Sequence, residues 1–203
     1  MVHASQSPVV RRTRCGASLT RRGTLYGCLV VAAGGTAGLA RADESDPALS
    51  MPPQPGDQFG FLAGEKRGQV VKADNLPLGG PQVQVYPIDP KSGLVRDASR
   101  LNLVILIRLD PSSLSEDTRL RAAEGVVAYS AVCTHQGCPV NMWTSEKKAF
   151  VCSCHGSVYD PRNGAQVLAG PAPRPLPSLG VKLQGNVPVV AAAFSGHVGP
   201  TAQ

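Results

Sequence analysis

Four of the six cysteines and two of the four histidines fall between positions 133 and 155. The first group reads Cys133-Thr134-His135-Gln136-Gly137-Cys138, and the second Cys152-Ser153-Cys154-His155-Gly156-Ser157-Val158-Tyr159-Asp160. Each group offers a thiolate and an imidazole at Cys-x-His or Cys-x-x-His spacing, with one cysteine to spare. Two thiolates and two imidazoles can complete a tetrahedral zinc site, although zinc fingers usually pair cysteine with cysteine and histidine with histidine. The same four groups can hold a two-iron, two-sulfide centre, Cys133 and Cys152 on one iron and His135 and His155 on the other. Neutral imidazoles in place of two thiolates leave such a cluster less negative, so it accepts an electron more readily. A disulfide scaffold without metal is the third arrangement these residues permit.

The hydroxyls of Ser157 and Tyr159 follow the second group closely. Donors to cluster sulfur stabilise the reduced, more negative state; as plain structure, the two residues are a turn serine and a packed aromatic. Further on, Gly170-Pro171-Ala172-Pro173 is a stiff loop with little freedom to lose.

The elements that must position these groups read as strands. Residues 82–86 alternate apolar and polar, and 101–109 form a nearly continuous apolar run bounded by Pro111, too short for a typical helix. Further strand candidates are 126–129, 150–151, 181–183 and 187–193. Residues 115–124 can form at most a short surface helix, Leu120 being their one large apolar residue. Glycine (22) and proline (18) are plentiful, as in a turn-rich chain. The sequence contains no internal repeat, and the fold class expected is all-β. Residues 43–58 are polar and proline-rich and read as a semi-rigid linker, with the domain proper over 59–199.

The 20 Lys and Arg against 14 Asp and Glu give a net charge of +6, which would suit a nucleic-acid partner. The distribution excludes that class. Arg11, Arg12, Arg14, Arg21, Arg22 and Arg41 all precede the first acidic residue, Asp43, so the remainder is neutral. Aromatic residues, at 4%, are too few for base-stacking platforms. The surplus charge belongs to a leader over 1–42. Thr20-Arg21-Arg22-Gly23-Thr24-Leu25 precedes an apolar run over 25–40 and resembles a twin-arginine export signal; an ordinary secretory signal or a plain anchor is the alternative. At ~1.5 Å per residue the run spans about 24 Å, short of the ~30 Å hydrocarbon core. It ends in Ala40-Arg41-Ala42, a small-x-small pattern. The chain is therefore expected on the periplasmic side of the inner membrane, anchored by residues 25–40 or released after Ala42. Cys15 and Cys28 lie in the leader, and His3 and His197 are terminal and expected at the surface.

The paired Cys-x-His and Cys-x-x-His groups resemble the Rieske motif. Over roughly residues 56–199 the chain is similar to the Rieske iron–sulfur subunits of bacterial quinol–cytochrome c oxidoreductases (bc-type complexes). The similarity includes Glu124-Gly125-Val126-Val127-Ala128-Tyr129-Ser130 before the first group and Asn163-Gly164-Ala165-Gln166-Val167 after the second. It implies antiparallel sheets with a cluster-binding subdomain, about 131–175, at the tip, and one Rieske-type [2Fe–2S] cluster per chain. It implies Cys133, His135, Cys152 and His155 as ligands, Cys138 and Cys154 as a disulfide, and Ser157 and Tyr159 as redox-tuning donors. Gly170-Pro171-Ala172-Pro173 would be the proline loop that covers the cluster. His155 would hydrogen-bond quinol and accept its proton, the electron passing to a c-type cytochrome, with cytochrome b as a further partner subunit. Gln136 departs from the family, which usually has leucine there, and the apolar leader is short for an anchor. Both departures favour an alternative: the small Rieske subunit of a periplasmic molybdenum oxidase of the arsenite-oxidase type, beside a molybdopterin-containing large subunit. A free-standing periplasmic electron carrier is a further alternative.

Overall fold

The structure, a computed structural model, describes residues 46–201. The leader readings on 1–42, and the proline-rich stretch as far as residue 45, lie outside the described residues.

Ten strands make up two antiparallel sheets among the described residues, as the all-β expectation requires. A closed barrel contains β1 (Gln58–Phe61), β2 (Val83–Ile88), β3 (Val104–Arg108), β4 (Val126–Ser130), β9 (Ser178–Gln184) and β10 (Val187–Phe194), ordered β1-β10-β9-β4-β3-β2. A four-stranded sheet, ordered β5-β6-β7-β8, holds β5 (Val140–Thr144), β6 (Ala149–Cys152), β7 (Val158–Asp160) and β8 (Gln166–Ala169).

The apolar run at 101–109 is explained by where β3 lies. Val104 and Leu106 point into the barrel, with Phe59, Val85, Val126, Ala128, Leu179 and Val190. Ile105 and Ile107 point the other way, into a second core with Tyr129, Phe150, Tyr159 and Leu176. β4 divides likewise, Val126 and Ala128 inward, Val127 and Tyr129 outward. A strand buried on both faces loses its polar alternation. The pair is held in register from Val104 opposite Ser130 to Arg108 opposite Val126.

The small sheet lies on the outer face of β3 and β4. Trp143, Phe150, Tyr159 and Val167 are cross-strand neighbours along its inner side. Phe150 meets Tyr129 edge-on with centroids 6.0 Å apart, and Trp143 at 5.8 Å. Full burial of such side chains contributes about 1.5–3 kcal/mol each. The short helix expected near 115–124 is α2 (Glu116–Arg119), preceded by α1 (Pro47–Ser50). Ser115 caps α2 by accepting the Thr118 N–H, and Leu120 is 80% exposed beyond it.

The described part of the proline-rich stretch is fastened to the barrel. Arg96 makes a two-pronged ion pair with Asp57, Nε–Oδ2 2.7 Å and Nη2–Oδ1 3.1 Å, with side chains only 7% and 3% exposed. Arg96 also donates to the Ala48 carbonyl, and Asn102 Nδ2 donates to the Met51 carbonyl at 2.7 Å. The Asp57 carboxylate raises the Arg96 guanidinium above its ordinary value.

Removing one partner leaves the other charge buried and unpaired. Asp57→Ala should therefore lower the unfolding free energy by about 3–5 kcal/mol in urea titrations. A double Asp57→Leu/Arg96→Met variant should lose less than the two single changes together. Burial also raises the Tyr129 phenol above its ordinary 10.0, its hydroxyl donating to the Pro161 carbonyl at 2.8 Å. A phenol whose folded value is raised contributes stability that is whole below pH 10 and lost as pH rises beyond it. Unfolding monitored between pH 9 and 11.5 should show that fall, shallower in Tyr129→Phe.

Candidate metal centre

The two Cys/His groups form the loops that join β4 to β5 and β6 to β7. They are built alike. Cys133 N–H donates to the Cys138 carbonyl (2.8 Å), and the Cys133 carbonyl accepts from Gly137 (2.9 Å). Cys152 N–H donates to the Ser157 carbonyl (2.9 Å), and the Cys152 carbonyl accepts from Gly156 (3.0 Å). Each loop thus folds back at a glycine four residues after its cysteine, with φ of 73° at Gly137 and 72° at Gly156. Left-handed backbone is inexpensive only for glycine, which accounts for its presence at both turns.

This folding sorts the side chains by depth. Cys133 and Cys152 carry free thiols, are 1% exposed, and belong to the core between barrel and small sheet. His135 is half-buried and His155 exposed, their rings perpendicular with centroids 4.7 Å apart. His135 Nδ1 is buried without a hydrogen-bond partner. Burial pushes the Cys152 thiol up, opposed by backbone hydrogen bonds from Cys154 and His155. Neutral thiols bury at little cost, but an orphaned imidazole nitrogen is costly in the interior unless a cation or a hydrogen-bond partner meets it.

Cys138 and Cys154 form the expected disulfide, with Cα atoms 6.4 Å apart, joining the two loops. The sulfurs of Cys138, Cys152 and Cys154 all lie within 4.8 Å of one another. Two of the three are spent on that bond, so the trio is no metal site; the free donors are Cys133, Cys152, His135 and His155.

The Tyr159 hydroxyl stands 3.2 Å from Cys133 Sγ and is fully buried. Burial, then the neighbouring Cys133 sulfur, hold its phenol above the ordinary value, so it stays protonated and able to donate. Ser157 is also fully buried, and its Oγ accepts from Ala172 N–H at 3.2 Å. That bond uses an oxygen lone pair and leaves the Ser157 proton free. It also ties the second ligand loop to Gly170-Pro171-Ala172-Pro173. A Cβ on Gly170 would fall 2.5 Å from Ser157 Cα, so the two backbones touch. Gln136 is exposed, as is His197, whose Nε2 lies 3.1 Å from the Pro200 carbonyl; His3 lies outside the described residues.

Thr134 and Arg174 had no place in the motif reading. Thr134 is buried, and its hydroxyl donates to the Arg174 carbonyl at 2.7 Å. Nothing in local sequence pairs them, since 40 residues separate the two.

An all-β domain with two matched loops placing two buried thiols beneath two adjacent imidazoles is the construction of a Rieske protein. The chain belongs to that family: the model of the Rieske [2Fe-2S] domain matches residues 69–180, and the cofactor is a [2Fe–2S] cluster. The chain is 39% identical over 100 residues to the cytochrome bc1 complex Rieske iron-sulfur subunit of Streptomyces lividans, covering 48% of this chain and 58% of that one. It is 33% identical over 123 residues to a Haloferax mediterranei protein named as a respiratory nitrate reductase Rieske subunit, covering 60% and 52%. The chain thus spans little more than half the length of these two relatives. Among solved structures, the plasma membrane Rieske protein of Synechocystis PCC 6803 aligns at 29% identity and a TM-score of 0.34, over 54% of this chain and 86% of that one.

A hydrogen bond to a charged group contributes roughly 1.5–3 kcal/mol, equivalent to about 60–130 mV for one electron. Tyr159→Phe and Ser157→Ala should each lower the midpoint potential by up to that amount. Redox titration of the purified variants measures it, and a potential equal to wild type refutes the donor role of that residue.

Proposed function

We propose that this chain is the electron-transfer subunit of a bc-type complex, with Cys133, His135, Cys152 and His155 as the cluster ligands. The observation that carries the reading is the depth order at the tip, buried thiols beneath an exposed His155. When bound, a [2Fe–2S] cluster with two imidazole ligands supplies a one-electron acceptor of raised potential. Cys133 and Cys152 face the core, where water cannot reach them. His155 presents its outer nitrogen to solvent, where it accepts the hydrogen bond of a quinol hydroxyl. Reduction of a cluster held there would strengthen the hold of this imidazole on a proton, so His155 would take up one proton for each electron the quinol gives. Tyr159 holds its hydroxyl on Cys133, favouring the reduced state. The electron then passes to a c-type cytochrome.

The bc1-subunit relative supports this assignment, as does the intact set of ligands, disulfide and sulfur donor. Export by the twin-arginine route to the periplasmic side of the membrane belongs to the same proposal. Among the described residues no helix is long and apolar enough to cross a membrane. A second reading, an electron-transfer subunit beside a molybdopterin-containing enzyme, draws on the exposed Gln136 and on the relative named for nitrate reductase.

The reduced protein should give an EPR signal of low average g. Its midpoint potential should fall by about 59 mV per pH unit where the imidazoles release protons; a pH-independent potential would refute imidazole ligation. Tagged chain isolated from its native membranes should carry b- and c-type haem absorbance. Molybdenum in place of haem would overturn the bc-type assignment in favour of the second reading.

A further inference from the structure

Residues 196–201 follow β10 and lie beyond the segment that the family model matches. They do not trail from the domain. Arg174 donates through Nη1 to the His197 carbonyl at 2.7 Å and through Nη2 to the Gly199 carbonyl. The contact between His197 Nε2 and the Pro200 carbonyl closes the tail into a turn. Gly199 lies so near Val132 that a Cβ on it would stand 3.3 Å from Val132 Cγ1. Pro200 lies over Gly137, where a Cβ would stand 3.3 Å from its Cδ. The tail therefore touches the first ligand loop twice, just before Cys133 and just after Gln136.

Arg174 closes the connection through its main chain. Its carbonyl accepts the hydroxyl of Thr134, the residue between Cys133 and His135. One residue thus holds the tail with its side chain and the ligand loop with its backbone. The planar guanidinium reaches the two carbonyls through two separate nitrogens in a fixed fork, where a lysine ammonium offers one nitrogen on a flexible stem. The second loop is fastened differently, by the Ser157–Ala172 bond and the touching Gly170 backbone.

We infer that the C-terminal tail is a clasp for the first ligand loop, and that Arg174 is the positioning residue through which it acts on Cys133 and His135. The inference rests on the reading of those two residues as ligands. Without the fork, the tail carbonyls return to water and the Arg174 backbone is free to leave Thr134. The first loop then opens between its two ligands, while the barrel is untouched.

The test uses the full chain with its cluster, Arg174→Gln, Arg174→Lys, a truncation after Ser195, and Arg174→Gln combined with that truncation. Ser195 is kept because its N–H donates to the Ser178 carbonyl and its Oγ accepts from Ser178, closing the end of the barrel. Three quantities are read: the rate at which a chelator bleaches the visible absorbance, the EPR line width, and the far-UV unfolding midpoint. Arg174→Gln and the truncation should each bleach about tenfold faster with broadened EPR lines, Arg174→Lys falling between. The unfolding midpoint should stay at the wild-type value, and the combined variant should bleach no faster than either alone. Wild-type bleaching and line widths in the truncated chain, or effects that multiply in the combined variant, overturn the clasp. The wild-type spectrum is recorded first: absence of a low-average-g signal there overturns the ligand reading itself, whereas its presence with unaltered variants overturns the clasp alone.

Discussion

The molecule depends on two strands that are buried on both faces. β3 and β4 line the barrel with Val104, Leu106, Val126 and Ala128, and present Ile105, Ile107, Val127 and Tyr129 to the small sheet. The two apolar layers therefore share the same two strands. Cys133 sits three residues beyond β4 and belongs to the outer core, together with Cys152 and Tyr159. Cys133 follows β4, every residue of which is buried, and Cys152 ends β6 against the same core. A site built this way can hold reacting groups in fixed geometry although its loops have little regular structure.

Depth then sets the electrostatics. Two thiolates in an apolar core would be expensive alone, and burial indeed raises the Cys152 thiol. The compensation is local: amide donors from Cys154 and His155, the Tyr159 hydroxyl on Cys133, and whatever positive charge the site takes up. The imidazoles lie on the opposite side, where neutral rings cost little to expose. The same gradient that buries the sulfurs leaves His155 at the surface, and the disulfide joins the two loops across it.

The chemistry of the site was more legible in the sequence than its scaffold. Ligand-type residues at Cys-x-His and Cys-x-x-His spacing stand out because few other arrangements need them, and the spare pair Cys138 and Cys154 proved to be bonded. β3 was legible as an unbroken apolar run, since double burial leaves a plain trace. β5, β7 and β8 were not legible, for a definite reason. β7 and β8 are short, and register shifts between Val140 and Met142, and between Val158 and Tyr159, break the alternation that identifies a strand. β1 was missed because Gln58-Phe59-Gly60-Phe61 looks like the end of a proline-rich stretch. That stretch in turn depends on a pair, Asp57 with Arg96, that only the fold brings together. Long-range polar contacts such as Thr134 with Arg174 leave no local pattern at all.

The two loops share one design and differ in what holds them. Their backbones repeat the same pair of hydrogen bonds and the same left-handed glycine, a repetition hidden in sequence because Cys-x-His and Cys-x-x-His differ by one residue. Counted from each cysteine, Cys154 stands where His135 stands in the first loop, and Ser153 where Thr134 stands. Cys154 reaches across to the other loop through a covalent bond, and Thr134 reaches back to Arg174 through a hydroxyl. Backbones of equal length from cysteine to glycine therefore gain unlike fastenings from the side chains set on them. An exposed His155 needs a loop fixed from beneath, because nothing among the described residues covers it from above. A half-buried His135 sits in a loop flanked on its outer side by Pro200 and Arg100. The difference in exposure between the two imidazoles follows from these neighbours.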